Sequence, residues 1–290
     1  MGFFGELKSK FGSKRLNVRA RFELLQAAIS GTMSEVYQAR DRKTGEIVAL
    51  KILDKEKTEA LYKRVKNAQR EAEGSIAIRF EHPYIVKSLE HGLTTDGAQY
   101  LIMEYLSGTG LNNVLTIPTD LMAGARVMYL KQVAEALQCV HEKGYIHRDI
   151  CPRNLIFTED FTILKLTDFG LSVPAQGAFL EPGNRTGTPN YMAPELVRRK
   201  KTDQRLDVFS FGVTAYEMCT RELPWPSGNT GMAAMTHDQE PVDIRTYRPQ
   251  INERLAKAIH SCIEPDPQKR CSTMKHFLFL IKKVEREDDE

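Results

Sequence analysis

No stretch of this sequence approaches the roughly 20 consecutive apolar residues that a membrane span needs, and no secretory leader is evident. Charge of one sign is equally scarce. Lys and Arg number 41 against 38 Asp and Glu, a formal net charge of +3, too little to argue for nucleic acid as a partner. Cysteine is sparse and unpatterned: Cys139, Cys151, Cys219, Cys262 and Cys271 include no C-x-x-C pair. Free thiols in a reducing, cytoplasmic setting are therefore expected, rather than disulfides or a zinc site. No internal repeat or low-complexity tract stands out. What remains is a chain of 290 residues, 41% hydrophobic and 27% charged, the composition of a soluble globular protein. Its length exceeds the size at which single cores usually split, so about two lobes are expected.

The two ends differ from the body. Residues 1–21 carry Lys8, Lys10, Lys14, Arg15, Arg19 and Arg21 against Glu6 alone, with Phe3, Phe4, Leu7 and Phe11 interleaved. Such a segment reads either as a solvated, poorly ordered tail or as one that makes weak contact with an anionic membrane surface. The Met-Gly start is discounted as a myristoylation signal because Glu6 stands where Ser or Thr is expected. Residues 283–290 are acidic and are expected to fray.

Between the ends, Phe22–Ser30, Ser34–Asp41 and Glu46–Leu53 read as strands, with Arg42-Lys43-Thr44-Gly45 as a turn. Leu61, Val65, Ala68 and Ala72 recur at helical spacing, which predicts a helix over about 57–80. Gly74 inside it costs about 1 kcal/mol relative to Ala. Tyr100–Leu106 reads as a buried strand. Val127, Leu130, Val133, Leu137 and Val140 share one face of a helix predicted over Leu121–Lys143 and stopped by Gly144.

The chemistry-bearing stretch is His147-Arg148-Asp149-Ile150-Cys151-Pro152-Arg153-Asn154, followed by Asp168-Phe169-Gly170. Further matches are Val48-Ala49-Leu50-Lys51, His82-Pro83, Gly187-Thr188 through Ala193-Pro194-Glu195, Asp207-Val208-Phe209-Ser210-Phe211-Gly212, and a late Asp266-Pro267 with Arg270. Over about residues 22–282 the chain resembles the protein kinases, with H-R-D-x-x-x-x-N and D-F-G in order. The resemblance implies an α+β, two-lobed fold: a small β-rich lobe over about 22–106 with one regulatory helix, and a larger, mostly helical lobe over about 107–282. It also implies ATP and Mg²⁺ as cofactors and protein Ser or Thr hydroxyls as acceptors. Asp149 is then the base, and Asn154 and Asp168 hold the metal. Lys51 contacts the α/β-phosphates, with Glu71 and Glu73 competing as its partner; counting back from His82-Pro83 favours Glu73. Gly31, Val36, Ala49, Met103, Glu104, Leu106 and Ile156 line the nucleotide. Arg148 clamps the activation segment, Thr188 helps seat the acceptor, and Thr186 is the better candidate than Ser172 for a regulatory phosphate.

Three departures stand against that pattern. The loop Ile29–Val36 keeps only the middle glycine, Gly31, of G-x-G-x-x-G. Cys151 replaces the usual lysine two residues after Asp149, as a small packing residue or as a redox-sensitive thiol favoured by nearby arginines. Arg153 is the cation available in its stead. Asn184 occupies the usual activating-phosphate position. The favoured function is an active Ser/Thr protein kinase. The alternatives are a pseudokinase acting as scaffold or allosteric module, suggested by Cys151 and the eroded loop, and a small-molecule phosphotransferase, which the Ala193-Pro194-Glu195 and Asp207 region argues against.

Overall fold

The two strands either side of the Arg42–Gly45 turn start the first sheet. In the computed structural model, which describes residues 15–26, 29–31, 33–63, 70–182, 185–225 and 235–289, β3 (Ser34–Asp41) pairs antiparallel with β4 (Ile47–Leu53). β1 (Phe22–Leu24) and β2 (Ile29–Ser30) both pair with β3. β5 (Ser88–Leu93) and β6 (Gln99–Glu104) complete a six-stranded sheet in the order β1-β3-β4-β6-β5, with β2 also on β3. The register sorts the side chains. Val36 opposes Lys51 and Ala49 opposes Met103, so these four residues share one face of the sheet. The other face carries Ala39, Val48, Leu50, Tyr100 and Ile102, packed with Leu16 and Phe22 into one core.

Leu16 shows that the packed chain begins before Phe22. Its N–H donates to the Leu93 carbonyl at 2.9 Å, and its carbonyl accepts from Thr95 N at 2.9 Å. A short helix, α1 (Val18–Arg21), follows, capped by the Asn17 side chain. Arg21 then bridges Asp41 and Glu90, 2.8 Å from each. The expectation of a poorly ordered tail therefore fails for residues 15–21, because buried Leu16 and the Arg21 pairs anchor them. Residues 1–14 lie outside the described residues.

The helix predicted over 57–80 is also corrected. The structure gives α2 (Lys55–Lys63) and a separate single turn, α3 (Glu73–Ala77). Residues 70–72 are not helical, and Ala72 is extended, with ψ of 144°. The chain divides into two compact units, residues 1–81 with 86–106, and 82–85 with 107–290.

The second unit is mostly helical. After α4 (Leu111–Thr116), helix α5 spans Arg126–Glu142. It begins later than the predicted Leu121 because Gly124 has φ of +75°, outside the helical region. Two-stranded pieces β7 (Tyr145–Ile146) with β10 (Val173–Pro174), and β8 (Leu155–Phe157) with β9 (Leu164–Leu166), frame the loops that follow α5. Beyond α6 (Pro194–Val197) lies α7 (Arg205–Thr220), buried on nearly every side from Leu206 to Cys219, as the apolar run Val208–Ala215 demands. Helices α8 (Ile244–Tyr247), α9 (Glu253–Cys262) and α10 (Met274–Leu280) complete the unit.

Between Val284 and Asp289 the acidic segment is pinned rather than frayed. Glu287 is 1% exposed; its Oε1 accepts from Gly124 N at 2.6 Å and from Arg126 Nη1 at 3.0 Å. Asp288 takes Arg248 at 2.5 and 2.6 Å, and Asn252 N donates to the Glu287 carbonyl at 2.8 Å. Arg126, 1% exposed, is held between Asp120 at 2.6 Å and Glu287 at 3.0 Å, since an unpaired buried guanidinium costs several kcal/mol.

Candidate active site

In the first unit, β4 ends its apolar run on Lys51, whose Nζ lies 2.7 Å from Glu73 Oε1, both side chains buried. Glu71, the competing acid, turns instead to Arg79 at 2.5 Å. Glu73 sits at the start of α3, and the next residue explains how α3 reaches the sheet. A Cβ on Gly74 would meet His91 Cβ at 2.3 Å. Glycine is thus what lets α3 press onto β5; the cost foreseen from helix propensity is secondary to this close approach. At the β2–β3 turn, Gly31 N donates to Ser34 O at 2.8 Å. The N–H of the one remaining glycine of that loop is therefore committed to the turn. Val36 and Ala49 are half-buried and Met103 is buried, all on the Lys51 face. Glu104 is tied to Lys87, its N–H to the Lys87 carbonyl at 2.9 Å and its Oε1 to Lys87 N at 2.7 Å. Leu106, just past β6, is half-buried.

In the second unit the loop after β7 is held from below by α7. Asp207, 0% exposed, accepts from His147 N at 2.7 Å and Arg148 N at 2.8 Å, and its Oδ2 meets His141 Nε2 at 2.9 Å. This pins Arg148 with φ of +70°, a conformation a bulky residue adopts only under constraint. Burial pushes the Asp207 carboxyl up, but the His141 bond and charge and the His147 contacts outweigh it, and the group lies below the usual carboxylate range. Burial keeps His147 neutral, its pKa lowered. His141 is a residue the sequence did not flag; an i, i+6 spacing to His147 carries no recognisable signal.

Asp149 is fully engaged. Thr188 donates to Oδ1 twice, from N at 3.0 Å and from Oγ1 at 2.6 Å. Arg153 Nη2 and Asn154 Nδ2 donate to Oδ2, each at 3.0 Å. These four bonds match the carboxylate's acceptor capacity. Asn154 Nδ2 also reaches the Asp149 carbonyl at 2.8 Å, which turns its own Oδ1 away from Asp149. Thr167 N donates to the Asn154 carbonyl at 2.9 Å, bringing Asp168 alongside. Asp168 has φ of +64°, and its Oδ1 accepts from Gly170 N at 3.1 Å. Asn154 and Asp168 thus offer hard oxygen donors of the kind Mg²⁺ selects. Ile156 lies half-buried in β8, opposite Lys165.

Arg153 is half-exposed and also donates to Thr188 Oγ1 at 2.9 Å. Cys151 is 1% exposed. Burial first, then the charge of Asp149, pushes its thiol up to about 12. A thiolate favoured by neighbouring arginines is therefore corrected to a neutral, packed thiol.

The activation segment is closely tied to this loop. Arg148 Nη2 donates to the Phe179 carbonyl at 2.6 Å. Ser172 is fully buried, its Oγ 3.3 Å from the His147 carbonyl. Thr186 is 9% exposed, and its Oγ1 has no hydrogen-bond partner among the described residues; Asn184 lies outside them. Downstream, Glu195 forms a two-pronged pair with Arg270 at 2.7 and 2.9 Å. Tyr191 OH donates to Glu217 at 2.6 Å, and burial pushes the Glu217 carboxyl up.

Comparison with known proteins identifies the family. The family model for the protein kinase domain matches residues 23–278. A protein named as a probable serine/threonine-protein kinase of Clostridium perfringens is 32% identical over 271 residues, covering 92% of this chain and 38% of that protein. The serine/threonine-protein kinase pkn3 of Myxococcus xanthus is 31% identical over 276 residues, 89% of this chain and 48% of its own length. The human hormonally up-regulated neu tumor-associated kinase is 33% identical over 242 residues, 83% and 33% respectively. The chain thus spans between a third and a half of these relatives. By the match across most of its length, this chain belongs to the protein kinase family.

Proposed function

We propose that the protein is a Ser/Thr protein kinase that uses ATP and Mg²⁺ to phosphorylate protein hydroxyls. The observation that carries the reading is the Asp149 carboxylate bonded to Thr188 of the Gly187-Thr188 segment and to Asn154. Asp149 orients the acceptor hydroxyl and takes its proton. Thr188, already a hydroxyl on Oδ1, marks where a Ser or Thr side chain docks. Lys51, held by Glu73, contacts the nucleotide phosphates. Gly31, Val36, Ala49, Met103, Glu104 and Leu106, with Ile156, contribute to nucleotide binding. Asn154 and Asp168 would hold the metal, which when bound neutralises charge on the phosphates. Arg153 supplies the cation that the neutral Cys151 cannot, and electrostatic stabilisation dominates such transfers.

A pseudokinase is the competing reading, favoured by one feature: all four acceptor positions of Asp149 are filled. An active enzyme must release one of these bonds when substrate enters. Radiolabelled ATP with wild type and Asp149→Asn decides; incorporation by wild type and none by the variant is expected, and equal incorporation would sink the kinase reading. Regulation follows the same segment. A phosphate on Thr186, whose hydroxyl is buried, requires the segment to open first. Arg15 and Arg19 are exposed and available to an anionic membrane surface, whereas Arg21 is consumed by Asp41 and Glu90.

A further inference from the structure

Residues 176–205 contain six basic residues against Glu181, Glu195 and Asp203. Their surplus alone matches the net charge of the whole chain, +3. Glu195 is buried against Arg270, so it contributes nothing to the surface. The excess is concentrated in the run Arg198-Arg199-Lys200-Lys201, all exposed, immediately after α6. Arg198 pairs with Asp238, and Lys201 lies 3.8 Å from Glu181. Among the described residues, no acidic side chain pairs with Arg199 or Lys200.

The turn is held in place rather than trailing in solvent. Arg198 N, Arg199 N and Lys200 N donate to the carbonyls of Pro194, Leu196 and Glu195 at 2.9, 3.2 and 2.9 Å. Arg199 adopts φ of +53°, which reverses the chain at a cost that ordinary surface residues avoid. Thr202 N then donates to the Leu180 carbonyl at 2.9 Å, fastening the turn to the activation segment. The stretch that joins it to Thr188 is anchored throughout: Tyr191 to Glu217, the Tyr191 carbonyl to Ser210 Oγ at 2.7 Å, the Met192 carbonyl to His237 Nδ1 at 2.7 Å, and Glu195 to Arg270. A fixed cationic surface therefore continues directly from the segment that bonds Asp149.

We propose that the Arg198–Lys201 turn recognises acidic stretches of protein substrates, so that the substrate class is Ser/Thr acceptors flanked by Asp or Glu. The proposal rests on the kinase reading. Opposite charge placed on a rigid surface steers encounter and selects partners. Screening limits the effect to roughly a Debye length, about 8 Å at physiological salt.

The test uses the full chain and two fluorescent peptides with one Ser acceptor, flanked by Glu in one and Gln in the other. Binding by anisotropy and kcat/KM are measured at low and high salt, for wild type and for the combined variant R199N, K200Q, K201Q. Wild type should favour the Glu peptide by about fivefold or more at low salt, as several exposed ion pairs together allow. The preference should shrink with salt and vanish in the variant, while both proteins phosphorylate the Gln peptide equally. Equal handling of the two peptides by wild type, or a preference that survives the variant, overturns the proposal. So does a duplex oligonucleotide that displaces the Glu peptide from the turn at comparable concentration. Charge-dependent binding of the Glu peptide without phosphorylation of either peptide would support the surface and remove the kinase reading instead.

Discussion

Asp149 and its immediate partners set what single substitutions should do. Arg153 holds Asp149 and Thr188 at once, so truncating it removes both a cation and a brace. Arg153→Ala is expected to lower kcat at least tenfold, about 1.4 kcal/mol, in a steady-state assay at saturating Mg-ATP; unchanged kcat would place the charge elsewhere. Cys151 is the opposite case. A buried thiol with its pKa near 12 should resist iodoacetamide at pH 8 in the native protein and react fully once denatured. Asp207 links the site to pH. Its folded pKa lies below the ordinary value, so the stability it contributes is present above the unfolded pKa of about 3.9 and is lost as pH falls through it towards the folded value. Asp207→Asn should flatten that part of the acid-unfolding curve, read by far-UV circular dichroism, and lower activity by loosening His147 and Arg148.

At the scale of elements, the sequence was legible where a period or a motif was strong. β3 and β4 follow from strand-forming runs either side of the Arg42–Gly45 turn, α5 from its apolar stripe, and the Asp149–Asn154 loop from its spacing. The α2–α3 region was misread because Leu61, Val65, Ala68 and Ala72 keep helical spacing although Ala72 is extended. Periodicity cannot register a break that tertiary contact imposes. Gly74 shows the same limit. Its role against His91 depends on a strand seventeen residues away, invisible to local propensity. Gly74→Ala is therefore expected to cost about 1–3 kcal/mol, the range for overpacking, rather than to stabilise α3. It should lower Tm and displace Glu73 from Lys51, raising KM for ATP; an unchanged Tm would show that β5 yields freely.

For the whole molecule, the carboxy-terminal segment decides whether the second unit is complete. The family match ends at residue 278, yet Arg126 finds its buried partner at Glu287. Glu287→Ala should destabilise by about 1–3 kcal/mol, the cost of losing buried hydrogen bonds to a charged group while Asp120 still pairs Arg126, measured by urea unfolding. Truncation after Val284 should do at least as much. Sequence alone read these residues as an acidic, frayed end, because a charge run shows nothing of the arginine waiting 161 positions earlier. That interval has a meaning in time. A ribosome adds about 5–20 residues per second, so α5 emerges roughly 8–30 s before the buried carboxylate that completes the pairing of its first arginine. Through that interval Asp120, made just before Arg126 and 2.6 Å from it in the folded unit, is the acid at hand, and the fully buried carboxylate joins only later.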